Sequence, residues 1–588
     1  MRLAVIDYER CSPEKCGHEC IKYCPMNLSG IEAIVMGEDG KPIILEDVCT
    51  GCGICVKKCP FGAITIVNTP EALGEEELVH RYGKNGFALF RLPVPRDGMV
   101  VGLVGPNGVG KTTSIKILSG KLKPNLGKEE ASREEILRRF RGKEIQRYLE
   151  RLASGSIRAS VKPQEIQLIP KAFKGTAGEL LKRFDERGVA KEIARDLFLE
   201  HLLDRPVSKL SGGELQRLAV AAAIARDADV YFFDEPSSFL DIRERIRVSR
   251  AIRALAESGK PVLVAEHDLA MLDYLSDYVH IYFGKPGAFG VVSLPYSARE
   301  GINVFLEGYL PSENVRFRSQ PLRFIKGAYE VEIGKKMFEY PEMRKTLGSF
   351  KLEVKPGDVR EGEVIVILGP NGIGKTTFAR LIVGELEPDE PVPLAKMRIS
   401  YKPQYISAEG IERMLVKDFL LEANPMALSD QRIRAGILKP LGLLELLEHE
   451  LGSLSGGELQ KAFIARTLIS DADIYLLDEP SAYISAEDRV NVASVIRRVI
   501  RGHKAAFVIE HDLMIAMYLA DRVIVFSGEP GKHGIANPPE EVRKGLNRLL
   551  KDLGITVRKE PKTGRPRINK PGSRLDREQR ASGEYFGA

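Results

Sequence analysis

No run of about twenty apolar residues occurs in the 588-residue chain, so the sequence offers no helix able to cross a bilayer. Met1 to Tyr8 leads to Cys11 without the basic and apolar regions of a secretory leader, and the expected location is the cytoplasm, with no membrane partner. Cysteine is absent from every position after Cys59. That excludes a disulfide framework for most of the chain, and without an export signal disulfides are not expected among the eight cysteines that remain. Recognisable flavin and haem motifs are lacking too. Charge is nearly balanced at a formal +6, yet nine basic residues face three acidic ones between Arg558 and Arg580. A basic Pro/Gly-rich stretch is either a solvated terminus or a polyanion contact.

The cysteines form two sets, Cys11, Cys16, Cys20 and Cys24, then Cys49, Cys52, Cys55 and Cys59, with Pro25 and Pro60 closing them. The second set has the Cys-x2-Cys-x2-Cys-x3-Cys-Pro spacing of a bacterial 4Fe-4S ferredoxin, in which the fourth cysteine ligates the other cluster. Two 4Fe-4S clusters are expected, one on Cys49, Cys52, Cys55 and Cys24, the other on Cys11, Cys16, Cys20 and Cys59. The first set departs from the rule with spacers of four and three; a pair of zinc sites is the alternative, although structural zinc favours separated Cys-x-x-Cys pairs. His18 reads as a surface-loop residue. Short strands at Ile31 to Val35, Pro42 to Leu45 and Ala63 to Val67 suit a ferredoxin-like α+β domain over residues 1–72.

Behind this domain stand two phosphate-binding loops, Gly105 to Thr113 and Gly369 to Thr377. Each follows an apolar stretch and opens a helix-forming one. Gly105, Asn107, Gly108 and Gly110, like Gly369, Asn371, Gly372 and Gly374, let backbone N–H groups curl round phosphate. Lys111 and Lys375 neutralise its charge. Thr112, Thr113, Thr376 and Thr377 bring hydroxyls, of which Thr112 and Thr376 suit magnesium. LSGGELQ at Leu210 and Leu454, DEPS at Asp234 and Asp478, and EHDL at Glu266 and Glu510 recur at an offset of 244 residues. Lys111 to Gln164 spans 53 residues and Lys375 to Gln404 only 29, so the first copy carries about 24 extra residues, near 128–153. Asp234 and Asp478 suit magnesium coordination; Glu235 and Glu479 suit activation of the attacking water.

LSGGELQ makes both copies resemble the ATP-binding cassette (ABC) ATPases. In that family two α/β P-loop cassettes pack head to tail, each signature closing the other's phosphate site. The resemblance implies a first site of Lys111, Thr112, Gln164, Asp234, Glu235 and His267 with Ser455 and Gly457. A second joins Lys375, Thr376, Gln404, Asp478, Glu479 and His511 to Ser211 and Gly213. His267 and His511 are catalytic candidates, and Gln164 and Gln404 candidate magnesium ligands. ATP would glue the faces through its γ-phosphate and ADP release them. Tyr82, Phe87 and Phe350 are candidates for stacking on adenine, with a core role as the alternative. Where the family expects an aspartate, Asp241 in the first copy, the second has Ser485, so the sites are expected to be unequal.

The eight-cysteine domain, His80 to Arg96, the insert and Gly308 to Arg318 narrow the resemblance to the E branch of the ABC ATPases, the ribosome-recycling RNase L inhibitor family. It implies a monomer with its own two cassettes paired. Its partners would be the ribosome, through small-subunit RNA and proteins, and a release factor or its rescue relative. ATP-driven closure would split the subunits, with the iron-sulfur domain as the moving part. The expected domains are 1–72, a first cassette at 73–300, a hinge at 301–325, a second cassette at 326–528 and a C-terminal hinge and basic tail at 529–588. Gly287, Gly290, Gly301 and Pro311 read as flexible punctuation near the hinge residues Asn314, Arg316, Phe317 and Arg318. Glu134 to Leu152 reads as a helical hairpin broken at Gly142. Its Arg138, Arg139, Arg141, Lys143, Arg147 and Arg151 make either a solvated face or an RNA contact. Two rival readings are an ATP-driven electron-transfer activator and the detached ATPase subunit of a transporter.

Overall fold

The structure, a computed structural model, describes residues 2–7, 10–37, 40–45, 48–68, 75–318, 321–322, 334–392 and 397–587. The expected boundaries at 72/73 and 325/326, and hinge positions 319, 320 and 323–325, lie outside those residues.

In the cysteine domain, Arg2–Ile6 pairs antiparallel with Ile64–Asn68, and Ile34–Met36 with Pro42–Ile44. Helices Glu19–Lys22, Pro25–Leu28 and Ile54–Lys58 carry or follow the cysteines. Ile6, Ile34, Ile44 and Ile64 form the core with Cys20, Cys24 and Cys55. The strand expected from Ile31 begins only at Ile34, because the Ile31 N–H closes the turn off the preceding helix on the Met26 carbonyl at 3.0 Å.

Each cassette is built on a nine-stranded sheet with the same strand order. In the first, Val100–Val104 lies centrally, followed outward by Val262–Ala265, Val230–Asp234 and Ala159–Lys162, all parallel. In the second the order is Val364–Leu368, Ala505–Ile509, Ile474–Asp478 and Ile399–Lys402. Helices cover both faces, which is why these strands are near-continuous apolar runs. The arrangement brings the carboxyl ends of four strands to one rim, where open α/β sheets bind ligands.

Two expected boundaries cut through elements, 300/301 through helix Ala298–Glu307 and 528/529 through strand Arg522–Glu529. Arg522–Glu529 and His533–Ala536 form an antiparallel hairpin within the second sheet, so position 528 cuts through the cassette. Beyond it the chain is folded, with helix Val542–Leu553, hairpin Val557–Lys559 and Pro566–Ile568, and helix Arg574–Ser582. Charge pairs of both senses tie it to the first cassette. Arg565 Nη1 donates to Asp273 Oδ2 at 2.6 Å, Arg567 Nε lies 2.9 Å from the same oxygen, and Arg299 donates to Glu560 at 3.0 Å. Nor are Gly290 and Gly301 flexible punctuation. A Cβ on Gly301, inside helix Ala298–Glu307, would meet Val279 at 2.1 Å, and one on Gly290 the Val109 carbonyl at 1.9 Å. Both are glycine for close packing.

The insert folds as helices Arg133–Arg139 and Gln146–Ala153, the first opened by a Ser132–Glu135 capping box. Ile136, Phe140, Ile145 and Leu149 bury against the first cassette. Two of its six cations bond the cassette: half-buried Arg139 donates to the Leu78 carbonyl at 3.2 Å, and Lys143, itself exposed, to Glu77 at 3.3 Å. Arg138, Arg141, Arg147 and Arg151 are exposed.

Candidate functional site

Both phosphate loops leave the central strand of their sheet and open a helix, Lys111–Leu118 or Lys375–Val383. The N-caps Gly110 and Gly374 have φ of 95° and 100°, a conformation that favours glycine. The orphan N–H groups of each helix start therefore face the loop. Lys111 Nζ donates to the Gly105 and Pro106 carbonyls at 2.8 and 2.6 Å, and Lys375 Nζ to those of Gly369 and Pro370 at 2.9 and 2.8 Å. Burial pulls Lys111 down to about 8, although Glu235 and Asp234 oppose it, and burial lowers Lys375 likewise.

Thr112 donates to Asp234 Oδ2, and Thr376 to Asp478 Oδ2, both at 2.8 Å. Burial raises both aspartates to about 6, with the adjacent glutamate pushing the same way. Asp478 Oδ1 is buried without a hydrogen-bond partner. A hydroxyl beside a buried carboxylate with an unused oxygen is the donor set of a magnesium–nucleotide site, so these residues fit that cation.

Gln164 Nε2 donates to Glu235 Oε1 at 2.7 Å, and Gln404 Nε2 to Glu479 Oε1 at 2.8 Å. His267 Nε2 stands 3.4 Å from Glu235 Oε1, and His511 Nε2 3.2 Å from Glu479 Oε1. Burial works to raise both glutamates, but the histidine and the lysines beside each outweigh it and hold the carboxylates ionised, at about 2. Each is a fixed anion beside the phosphate loop, with a glutamine and a histidine aimed at one oxygen.

One difference between the copies lies beside the glutamates. Ser238 Oγ donates to Glu235 Oε2 at 3.2 Å, and the corresponding residue in the second copy is Ala482. The backbones agree, with φ of 48° at both glutamates and 66° and 64° at Phe239 and Tyr483. Beside the glutamate the two sites thus differ by the Ser238 hydroxyl, visible in the sequence as SSF against SAY.

Phe87 and Phe350 occupy equivalent places, their rings 3.0 and 2.9 Å from where a Cβ on Gly110 or Gly374 would stand. Tyr82 is exposed, its hydroxyl 3.5 Å from Thr113 Oγ1. Ser211 and Ser455 are exposed N-caps of helices Gly212–Ala225 and Gly456–Ile469. Gly213 and Gly457 pack beneath the Phe239 and Tyr483 carbonyls, which a Cβ would meet at 3.0 and 2.9 Å. Among the described residues, the hydrogen bonds of Ser211 and Ser455 stay within their own capping boxes. The cassettes do touch. Asn371 N donates to Asp241 Oδ2, Asn371 Nδ2 to the Phe239 carbonyl, and the Phe239 and Tyr483 rings meet edge to face at 5.9 Å.

In the cysteine domain, Cys11, Cys16, Cys20 and Cys59 line one pocket, and the loop residue His18 lies on its wall. Burial pushes Cys20 up to about 11, with Cys59, Cys16 and Cys11 adding to the shift. Burial likewise raises Cys55 to about 11, helped by Cys49, Cys52 and Cys24. The fold thus groups the thiols crosswise, each fourth cysteine with the other set. Thiols that disfavour one another's ionisation suit a cationic iron–sulfide core that accepts them as thiolates, so the residues fit that group.

The chain matches the ABC transporter family model over residues 95–238 and 356–482. It also matches a possible Fer4-like domain in RNase L inhibitor over residues 1–32, and a 4Fe-4S binding domain over residues 42–65. An uncharacterized ABC transporter ATP-binding protein of Methanocaldococcus jannaschii is 50% identical, covering all of this chain and 97% of its own. A solved structure described as a model of ribosome-bound archaeal Pelota and ABCE1 is 54% identical, with a TM-score of 0.92 over 100% of this chain and 99% of that one. Another, archaeal ribosome recycling factor aABCE1 in complex with the archaeal ribosomal stalk protein aP1, is 52% identical, with a TM-score of 0.85 over 88% of this chain and 100% of that one. The domains therefore bind ATP and 4Fe-4S, and among the described residues no helix is long and apolar enough to cross a membrane.

Proposed function

The chain belongs to the RNase L inhibitor family of the ABC ATPases, and on that footing we propose that it splits ribosomes into subunits by ATP-driven closure of its two cassettes. The observation that carries this reading is the seat of the iron-sulfur domain, which holds both cassettes at once. The Ile6 N–H donates to the Asn85 carbonyl at 2.7 Å, and the Asn85 side chain grips Ile44 at 2.6 and 2.8 Å. On the other side Arg10 pairs with Glu458, in the signature capping box of the second cassette, at 3.5 Å. Any rotation of one cassette against the other must break one of these attachments. Closure thereby becomes displacement of a rigid domain, and a rigid domain driven against an interface is a wedge.

In this reading each site takes one ATP, and Glu235 or Glu479 orients and activates the water that attacks the γ-phosphorus, with ADP and phosphate leaving. Lys111 or Lys375 turns from the loop carbonyls to the phosphates, while Gln164 or Gln404 and the histidine keep the glutamate in place. Ser455 and Ser211 close the opposite sites. Thr112 with Asp234, and Thr376 with Asp478, would hold magnesium, which would supply charge neutralisation, and the two crosswise cysteine sets would hold two 4Fe-4S clusters that tie the wedge together. The proposed partners are small-subunit RNA and proteins, the stalk protein, and Pelota or a release factor; the setting is the cytoplasm.

The test is a sucrose-gradient assay on ribosomes carrying the rescue factor. Free subunits should accumulate with ATP and the wild-type chain, and Glu235→Gln combined with Glu479→Gln should abolish multiple turnover. Ribosomes that stay intact with ATP and a fully loaded protein would overturn the proposal.

A further inference from the structure

Two lysines and two glutamines take no part in the chemistry above, yet they are among the most deeply buried polar groups in the molecule. Lys162 and Lys402 are 1% and 0% exposed, and Gln216 and Gln460 are both 0% exposed. Burying a lysine in a sheet is costly, and an apolar side chain of similar volume would serve packing better. What these groups touch is the backbone of the acidic pair. Lys162 Nζ donates to the carbonyls of Asp234 and Glu235 at 2.8 and 3.2 Å, and Gln216 Nε2 to that of Glu235 at 2.6 Å. In the second copy Lys402 Nζ donates to the Asp478 carbonyl at 2.8 Å, and Gln460 Nε2 to those of Glu479 and Pro480 at 2.9 and 3.2 Å.

The residue being held is strained. Glu235 and Glu479 both have φ of 48°, in the left-handed region that a residue with a long side chain occupies only when its surroundings impose it. The donors arrive from opposite sides. Each lysine ends the sheet strand beside the acidic pair, and each glutamine stands on the helix that begins at the signature serine. Gln216 Oε1 and Gln460 Oε1 are buried without a partner, so each amide is placed for what its nitrogen donates.

We infer that Lys162 with Gln216, and Lys402 with Gln460, are positioning residues that clamp the catalytic glutamates in their left-handed backbone and so aim the carboxylates at the attacking water. The inference rests on the reading of Glu235 and Glu479 as the water-activating groups. It also ties the two sites together, because Gln216 links the Glu235 backbone to the helix whose Ser211 serves the opposite nucleotide.

The full-length chain is tested with Lys162→Met plus Lys402→Met, and separately with Gln216→Leu plus Gln460→Leu, beside Glu235→Gln plus Glu479→Gln. ATP turnover, KM and Tm are measured for each. A glutamate displaced by about 1 Å should lower kcat by about 10- to 100-fold, with KM for ATP within about twofold and Tm unchanged or higher. Turnover within about twofold of wild type, a loss confined to KM, or a fall in activity that only follows a lowered Tm would each overturn the inference. Should the methionine pair fail to fold, the leucine pair, which removes the donor on the other side, decides between clamp and no clamp. Full turnover in the Glu→Gln pair would sink the reading of the glutamates themselves, whereas loss there beside full turnover in the other variants sinks only the clamp.

Discussion

Asp241 Oδ2 accepts a hydrogen bond from the backbone N–H of Asn371 at 2.8 Å, joining the first cassette to the phosphate loop of the second. Burial works against the Asp241 charge, but the N–H groups of Asn371 and Glu244 outweigh it and keep its carboxylate below the usual range. Ser485, its counterpart, turns home instead, accepting from Asp488 N at 3.2 Å and donating to Asp488 Oδ2 at 3.0 Å. A hydrogen bond to a charged group contributes about 1.5–3 kcal/mol. Asp241→Ala should therefore weaken nucleotide retention at the second site by about tenfold or more and leave the first site less affected. Ser485→Asp together with Ala482→Ser should bring the two sites' retention half-lives together. Site-resolved trapping of labelled nucleotide gives the answer, and equal half-lives in the wild type would refute the asymmetry.

Nucleotide binding should release protons in mildly acidic solution. Asp234 and Asp478 sit at about 6, raised by burial, so below that pH the nucleotide-free folded protein holds protons there that the unfolded chain has lost. These groups add stability at low pH that fades as the pH rises through about 6. Magnesium–ATP needs the carboxylates and must expel those protons. Calorimetric titration in two buffers of different ionisation enthalpy should show about three-quarters of a proton released per site at pH 5.5 and almost none at pH 7.5. Asp234→Asn with Asp478→Asn should remove the difference.

The chemistry was legible in the chain where it is written in contiguous words. Asp234 and Glu235 sit at the end of a fully buried strand, and Lys111 and Thr112 one loop beyond another, and such strands announce themselves as apolar runs. Less could be read where meaning arises only on folding. Lys162 and Gln216 are unremarkable letters until strand and helix bring both to one carbonyl. Arg565 counted as part of a basic tail because its partner, Asp273, is nearly three hundred residues away. The strand Arg2–Ile6 went unread because its pairing with Ile64–Asn68 closes the domain end to end. Gly290 and Gly301 looked like punctuation, since a sequence does not distinguish glycine kept for freedom from glycine kept for contact.

Iron content should report the crosswise cysteine grouping. Cys24→Ser should lose about half the iron and sulfide, and adding Cys52→Ser should cost little more, because both belong with Cys49 and Cys55. Cys24→Ser with Cys16→Ser should lose nearly all. If the first double variant is instead the empty one, the pairing is wrong.

Two of the insert's six cations, Arg139 and Lys143, already bond the first cassette. Reversal of Arg138, Arg141 and Arg147 to Glu should weaken ribosome binding and flatten its dependence on salt, since each phosphate contact adds about one to the slope of log affinity against log salt. Arg139 is half-buried and already bonds the Leu78 carbonyl, so changing it should cost fold stability more than it changes that slope. Binding curves over a series of KCl concentrations decide. An unchanged slope in the triple variant would place the RNA contact elsewhere.

The C-terminal segment is fastened to the first cassette by a charge pair that neither partner can leave unanswered. Asp273 and Arg565 are 1% and 0% exposed at the side chain, and Arg567 shares the same carboxylate oxygen. Removing one member of a buried pair strands the other without water, which costs about 3–5 kcal/mol. Asp273→Ala should thus destabilise the protein by about that amount and open the loop from Lys559 to Pro566 to protease. Replacing both partners, Asp273→Leu with Arg565→Met, removes the fully buried charge and should restore most of the lost stability, because the one cation left without its carboxylate, Arg567, is 15% exposed and reaches water. Denaturant unfolding beside limited trypsin digestion distinguishes the cases. If the double variant is as unstable as Asp273→Ala, the segment is held by shape and not by the pair.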